Sequence, residues 1–485
     1  MQRTEKINSR GVIIDYVLVF GAIFLMLLSA LLGFILMQLK QANLKVSAVQ
    51  SLDIAEAGID HYLWCLNNGV QAGCTGTKDY TDSSGNAVGQ FQITAVITSA
   101  CGQSILYTIT SSGWTNQFPT NRRTIKALYG RRSVAAYSGI INAGVWFGND
   151  EALSGPFMAN GGVRMDGPNQ SLVSSATILN GNAEWVCDAS YGCSPCPTAA
   201  GQCRIAGSQC ICPGVFSTTA NSNSSLFQYP VPPFDFNSIT IDLANIKTAA
   251  RTGGGIYLPR SNTVSGYEAT GKGYHLKFQS DGTVKVYIVT ALTSTWGYNP
   301  EAGTYRWDAF TIAAESLYAT DTVPAACSAI YAEDNVWPDG VIKGKVVLAS
   351  ANLIDNSGNT NSILGDNITY AANDGTNGFE LVSQGNVFLG PQSPDSIELH
   401  GIYMAQNGTF ERDHYQGNIR TNFKVYGSYI SNGRPNETWV DGNGNVLSGY
   451  RNTAVYYDAS LIYNPPPFVA PIDSNFKIVS WRETE

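Results

Sequence analysis

Charge is scarce in this sequence: Asp, Glu, Lys and Arg together make up 14% of its 485 residues, and there are only four histidines. That scarcity excludes several classes. A net charge of −8 argues against a general nucleic-acid surface. His61, His275, His400 and His414 stand at no ligand or triad spacing, and the chain has neither a nucleophile elbow nor a phosphate loop. No catalytic, cofactor-binding or metal-binding residue is assigned on this basis, and the chain is read as a non-enzyme. What is abundant is Gly (49) and Tyr (25), alongside much Asn, Ser and Thr. This is the composition of extracellular β structure with many turns. A chain of this length exceeds one ordinary core and implies two or three domains, or an elongated solenoid.

The one long apolar run lies near the start. From Tyr16 to Leu39 no residue is charged, giving about 36 Å of helix, enough to cross a hydrocarbon core of about 30 Å. No proline stops the pattern there. Apolar residues continue from Leu44 through Ala48, Leu52, Ala55 and Ile59 to Leu63 and Leu66, at helical steps, while Lys45, Asp53, Glu56 and Asp60 take the other face. Residues 12–68 are therefore read as one spine, a membrane span that runs on as an amphipathic packing helix. Arg3, Lys6 and Arg10 precede the span and favour a cytoplasmic N-terminus. The run is longer than a secretory signal's apolar core, and no small-residue cleavage site follows it at the right distance, so the span is expected to be retained. Ser29 and Gly33 either admit a close helix neighbour or reflect ordinary membrane-helix composition.

After Leu66, the Asn67-Asn68-Gly69 stretch stops the helix, and Cys65 and Cys74 flank the turn as candidate disulfide partners. The alternating runs 90–98, 104–111 and 122–129 predict a small antiparallel sheet within residues 69–134. From residue 135 short apolar runs alternate with Gly/Asn corners, the pattern a parallel β-solenoid needs, with a β-sandwich as the alternative. First coils are placed at 135–232, an inserted α+β subdomain with a helix at Ile239–Ala250 at 233–328, and the main coils with a proline-rich closure at 329–485. A cluster of six cysteines interrupts the first coils: Cys187, Cys193, Cys196, Cys203, Cys210 and Cys212. It contains one Cys-x-x-Cys and no neighbouring histidine, so three disulfides are expected in preference to zinc. Their pairing stays open, as do the partners of Cys101 and Cys327.

The opening MQRTEKINSRG, short, basic and ending in Gly11, resembles the leader of a type IV pilin precursor, a family in which a long apolar helix follows the cut. The resemblance implies cleavage after Gly11 and a mature first residue at Val12. Pilins carry Phe first and Glu fifth; here Val12 is first, Asp15 fourth and Tyr16 fifth. Asp15 is then the candidate for the membrane carboxylate that pairs with a neighbour's amine, or else an acid at the water interface. The looser signature is similar to that of PilX-type minor pilins, with Ala55-Glu56-Ala57-Gly58 as the helix motif, ITSSGW and RRTIKALYG in the sheet, and VWPDGVIKGKVVLAS, YYDASLIYNPPPF and IVSWRE in the β-helical C-terminal module. The order of these motifs covers most of the chain. It implies a minor-pilin-like structural subunit, single-pass in the cytoplasmic membrane, with the region after the span exposed outside. Its partners would be other pilin-like subunits, the pilus assembly machinery and a surface glycan or protein ligand.

Two alternatives remain. One is a membrane-anchored surface adhesin that never enters a filament. The other is a β-helical glycan-active enzyme, for which the acids Glu333, Asp334 and Asp339 are close in sequence, although acids at solvated corners read the same way. The stretches 355–359 and 441–445 lack the full calcium-loop pattern and are read as turns.

Overall fold

The computed structural model describes residues 10–70, 72–101, 103–199, 202–236, 243–300, 302–355, 357–441 and 444–484. One long N-terminal helix is followed by a large β-rich region, as the sequence predicts. The chain divides into two compact units: residues 1–96, 107–129 and 476–485 form the first, and 97–106 with 130–475 the second.

In the first unit, helix α1 spans Arg10–Asn67 without a break, about 87 Å of helix. Its end carries a complete C-cap. Gly69 adopts φ +67°, its N–H donates to Leu66 O, and Val70 N–H donates to Cys65 O, the paired bonds of a Schellman motif. The Cys65–Cys74 disulfide closes the turn beside it. The sheet is built from β1 (Gly76–Thr81), β2 (Ala87–Ala100), β3 (Gln103–Thr115) and β4 (Arg123–Gly130). β1 pairs antiparallel with β2, and β3 with β4.

The helix face that meets this sheet includes Ala55 and Ile59 of the expected stripe, with its centre set off from the leucines. Ser47, Ser51, Ile54, Ala55, Ile59 and Tyr62 are buried, while Leu52, Leu63 and Leu66 pack at the edges. Small residues line the closest approach: a Cβ on Gly58 would overlap Ser111 Oγ, and one on Gly113 would overlap the Ser51 carbonyl. Polar pins fix the contact, with Ser47 Oγ 2.8 Å from Thr115 Oγ1 and the buried Tyr129 hydroxyl donating to Ile59 O at 2.7 Å.

The last strand, expected at Phe476–Trp481 within the solenoid closure, spans Lys477–Thr484. It instead lies beside β4 in this sheet. Asn67 and Phe476 exchange two hydrogen bonds, Phe476 packs edge-on against Tyr107 at 5.1 Å, and Arg123 pairs with Glu483. An open β4 edge offers unpaired backbone groups to any extended segment that reaches it, and nothing in the local pattern of 476–484 names which edge that is.

The second unit is organised by ladders of parallel strands. In one, Ile256–Leu258, Ala329–Ala332, Lys345–Ser350, Gly378–Ser383 and the end of Ser396–Ala405 follow one another in register. The ladder continues through Tyr429–Ser431 to Gly139–Ile141, then Phe157–Ala159, Val173–Ser175 and Phe227–Gln228. The segment that comes first in the chain is thus stacked beyond the last ladder strand of the segment that comes later. A second ladder runs from Tyr274–Phe278 through Val336, Ser362 and Val387 to Phe410. A third joins Ile368, Leu399, Val425, Val455 and Leu153. Their inward side chains form one continuous apolar core. Gly139 sits in register between Tyr429 and Phe157, and a Cβ there would lie 2.7 Å from the Phe157 ring.

Two boundaries differ from expectation. Residues 256–258 and 274–278, assigned to an inserted subdomain, pair directly into the ladders. The long antiparallel hairpin Thr283–Asn299 and Thr304–Thr322 joins them too, pairing through Val284–Ile288 with Tyr274–Phe278. Helix α2 spans Leu243–Thr252 and buries Leu243, Ile246, Ala249 and Ala250; the expected start at Ile239 lies outside the described residues.

Candidate assembly surface and displayed sites

The most distinctive surface is the first half of α1. It is the one helix, among the described residues, long and apolar enough to cross a membrane. Its large side chains from Ile13 to Leu39 are exposed, including Phe20, Phe24 and Leu32, although water would select polar residues there. A Cβ on Gly21 or Gly33 would meet nothing within 4 Å, so Ser29 and Gly33 lie on an open stretch. Gly11, Val12 and Asp15 all fall within the first turns of α1, and Asp15 is solvent-exposed. Residues 1–9 of the leader-like segment lie outside the described residues.

The Ala55-Glu56-Ala57-Gly58 motif has a direct physical account. Ala55 and Gly58 face the sheet, where their size permits the close approach, while Glu56 is exposed. Cysteine chemistry is fully paired. Cys65–Cys74 forms as expected, and the cluster resolves into Cys187–Cys193, Cys196–Cys210 and Cys203–Cys212. The two sulfur-rich groupings within the cluster consist of these disulfide sulfurs, which are not available as thiolate ligands. The Cys101–Cys327 bridge was not anticipated. Elimination was the available signal, since an even count leaves these two once the local pair and the cluster are set aside.

The loop carrying the cluster is braced internally by an aromatic contact and tied to Arg434 by a cationic one. Trp185 lies against Tyr191 at 4.9 Å and its indole N–H donates to Pro213 O. Arg434 stacks over Tyr191 at 4.3 Å and donates to Ser190 O.

The acids singled out in the sequence do not converge. Glu333 is buried and pairs with Lys247, with the Tyr257 hydroxyl donating to it; Asp334 accepts from Ser261 N–H and Oγ–H. Asp339 instead meets His275 Nε2 at 2.8 Å, while Glu315 of the hairpin meets Nδ1 at 2.7 Å. Burial lowers the His275 pKa, but the two carboxylates more than offset this and raise it above the ordinary histidine value. His275 and Asp339 line a cleft of about 200 Å³ between hairpin residues Phe310–Ile312 and the ladder residues Trp337–Asp339. Sequence spacing could not have found this set, because its members lie on three strands far apart in the chain. Asp355 is bound by Arg260 at 2.7 Å and caps Ser357 N–H, so its carboxylate is used in a turn. At 441–445, Asp441 accepts from Asn445, and residues 442–443 lie outside the described residues.

No family model matches the chain, and no curated protein does. Among solved structures, the competence-associated pilin ComZ from Thermus thermophilus is similar at 12% identity and a TM-score of 0.31, covering 90% of this chain and 98% of that one.

Proposed function

We propose that the chain is a minor-pilin-like structural subunit of a type IV pilus-like filament. It would insert through α1 and hold the second unit outside the membrane for assembly, capping or adhesion. The observation that carries this reading is the single unbroken helix Arg10–Asn67, apolar and exposed in its first half and packed on a sheet in its second. An anchor needs only the first half; a helix that is also a domain's packing element transmits the position of the membrane span to the fold. The parallel ladders of the second unit are read as the coils of a β-solenoid, a form whose rigid faces suit display. The work is helix packing, first in the membrane and then in a filament, rather than catalysis. The orientation is N-terminus inside.

A second reading, a single-pass surface adhesin that never enters a filament, is favoured by one observation: Tyr16 stands where pilins carry their glutamate. Mass spectrometry of the mature N-terminus, on protein from sheared surface appendages and from membranes separately, decides between them. A start at Val12 in the sheared fraction supports the filament subunit. A start at Met1, with protein confined to membranes, sinks it and leaves the anchored adhesin.

A further inference from the structure

The far end of the long hairpin carries a row of aromatic rings on one face. Trp296 pairs across the strands with Trp307, and Tyr298 with Tyr305. Alternation puts all four on the outer side, while Gly297, Asn299, Arg306 and Asp308 turn inward. The rings form a continuous series. Trp307 lies 5.2 Å from Trp296, which stacks on Tyr305 at 5.8 Å and 11°. Tyr305 meets Tyr298 at 5.2 Å, and Tyr298 meets Trp439 of the ladder edge at 5.8 Å. The three outermost are the most open: Trp307 is 67% exposed, Tyr305 56% and Trp296 49%.

This platform is held rigidly from below. Tyr298 and His414 exchange two backbone hydrogen bonds. Asn299 donates to Glu411 at 3.1 Å and to Asp413 at 2.9 Å, Arg306 joins Asp308 to Asp413, and the Tyr415 hydroxyl donates to Asp308 at 3.1 Å. Gly297 lets the strand lie directly on the Tyr415 ring, where a Cβ would come within 2.7 Å. Rings fixed in this way lose little freedom when something lands on them.

The chemistry of the face selects its occupant. Among the described residues from Thr290 to Thr311 the only charged side chains are Arg306 and Asp308, and both are turned inward and paired with each other. Glu301, in the turn, lies outside the described residues. The exposed neighbours Thr293, Ser294 and Thr304 are small hydroxyl residues, and no large aliphatic residue of this stretch joins the outer face. A charged polymer would find no counter-charge here, and a lipid surface would favour aliphatic side chains beside the rings. An uncharged sugar fits both features: its C–H face packs on a ring, and its hydroxyls bond to the indole N–H, phenol and threonine groups at the ring edges.

We propose that Trp296, Tyr305 and Trp307 form a binding platform for an uncharged oligosaccharide. The proposal deepens the adhesive role above and rests on the second unit being displayed outside the membrane. The test is affinity electrophoresis of the full chain in detergent through gels holding uncharged or anionic polysaccharides, with and without 0.5 M NaCl. Retardation by at least one uncharged polysaccharide, insensitive to salt, is expected, and Trp307→Ala and Trp296→Ala should each weaken it about tenfold. Tyr456→Ala, which removes an exposed ring outside the row, should leave it unchanged, as should Tyr305→Phe to within a few-fold. Equal melting temperatures exclude misfolding of the variants. The proposal is overturned if no uncharged polysaccharide retards the chain, or if binding is confined to anionic polymers and lost in salt. It is equally overturned if Trp307→Ala abolishes adsorption to phosphatidylcholine vesicles, or self-association, and not sugar binding. Recovery of Trp307→Ala in the sheared fraction at the wild-type level separates a failed platform from a failed filament subunit.

Discussion

Ile330, Leu348, Leu381 and Tyr403 stand in one column of the second unit with almost no exposed surface. Phe20, Phe24 and Leu32 of the first unit are the same kinds of residue, and each is more than half exposed. Burying such a side chain is worth about 1.5–3 kcal/mol, so the second unit satisfies its own apolar surface and the first does not. The stacked strands are complete as a chain. The helix is complete only when lipid, or other helices, surround its first half. That contrast is the physical basis of the proposal that α1 assembles and the ladders display.

The contrast can be broken first at the disulfides. Cys101 and Cys327 are 226 residues apart, whereas Cys65 and Cys74 are separated by 9. By loop-closure entropy the long bridge should contribute about 5 kcal/mol and the short one about 3. Replacing Cys101 and Cys327 by Ser should therefore lower the denaturation midpoint more than replacing Cys65 and Cys74. Equal shifts would mean that the long loop stays compact when unfolded.

A second test compares like with like. Leu381→Ala should cost about 2–5 kcal/mol in thermal or chemical denaturation, while Phe24→Ala should leave the melt of the detergent-solubilised chain unchanged. A large loss from Phe24→Ala would show that the helix half is covered by the chain itself.

Phe24→Lys sharpens the point from the other side. A lysine at the centre of a span costs about 2.5–3.5 kcal/mol of insertion. The variant should fall in the membrane fraction, whereas Leu447→Lys, exposed in the second unit, should not.

The smallest effect expected is on pH dependence, and its sign differs between the units. In the second unit, burial raises the Glu380 pKa well above the usual carboxylate range, and burial with the neighbouring Asp308 raises Asp413 to about 8. A carboxyl whose folded pKa is raised is protonated in the native state, so the stability tied to that proton is lost as pH climbs from about 4 to 8. Asp413→Asn should flatten that loss. In the first unit, hydrogen bonds from Asn86 hold the Asp82 pKa down, and Arg123 does the same for Glu483. Stability there is present above the unfolded pKa and fades as pH falls through the lowered value. Hydrogen exchange at pH 5 and pH 9 should show second-unit amides less protected at pH 9, with β1–β4 amides less affected.

The sequence by itself determined the elements whose cause is local. An uncharged run sets a membrane-length helix, the Asn67-Asn68-Gly69 stop sets its end, and alternation sets β2, β3 and β4. The oxidation of the cysteine cluster followed from its spacing and the absence of histidine. What only the tertiary structure decided is which edges meet. Any open strand edge presents the same backbone donors and acceptors, so no local signal could say that Gly139–Ile141 stacks beyond Tyr429–Ser431, or that Lys477–Thr484 lies beside β4. The sheet-facing stripe of α1 is legible in the sequence, since Ala55 and Ile59 are buried and Lys45, Asp53, Glu56 and Asp60 are exposed, but its centre is not. Hydrophobicity pointed to the leucines, but the approach distance is set by the smallest side chains, Ser51, Ala55 and Gly58, and only the packed sheet reveals that limit. The aromatic row and the His275 cleft are likewise products of a hairpin laid along ladders whose strands are far apart in the chain.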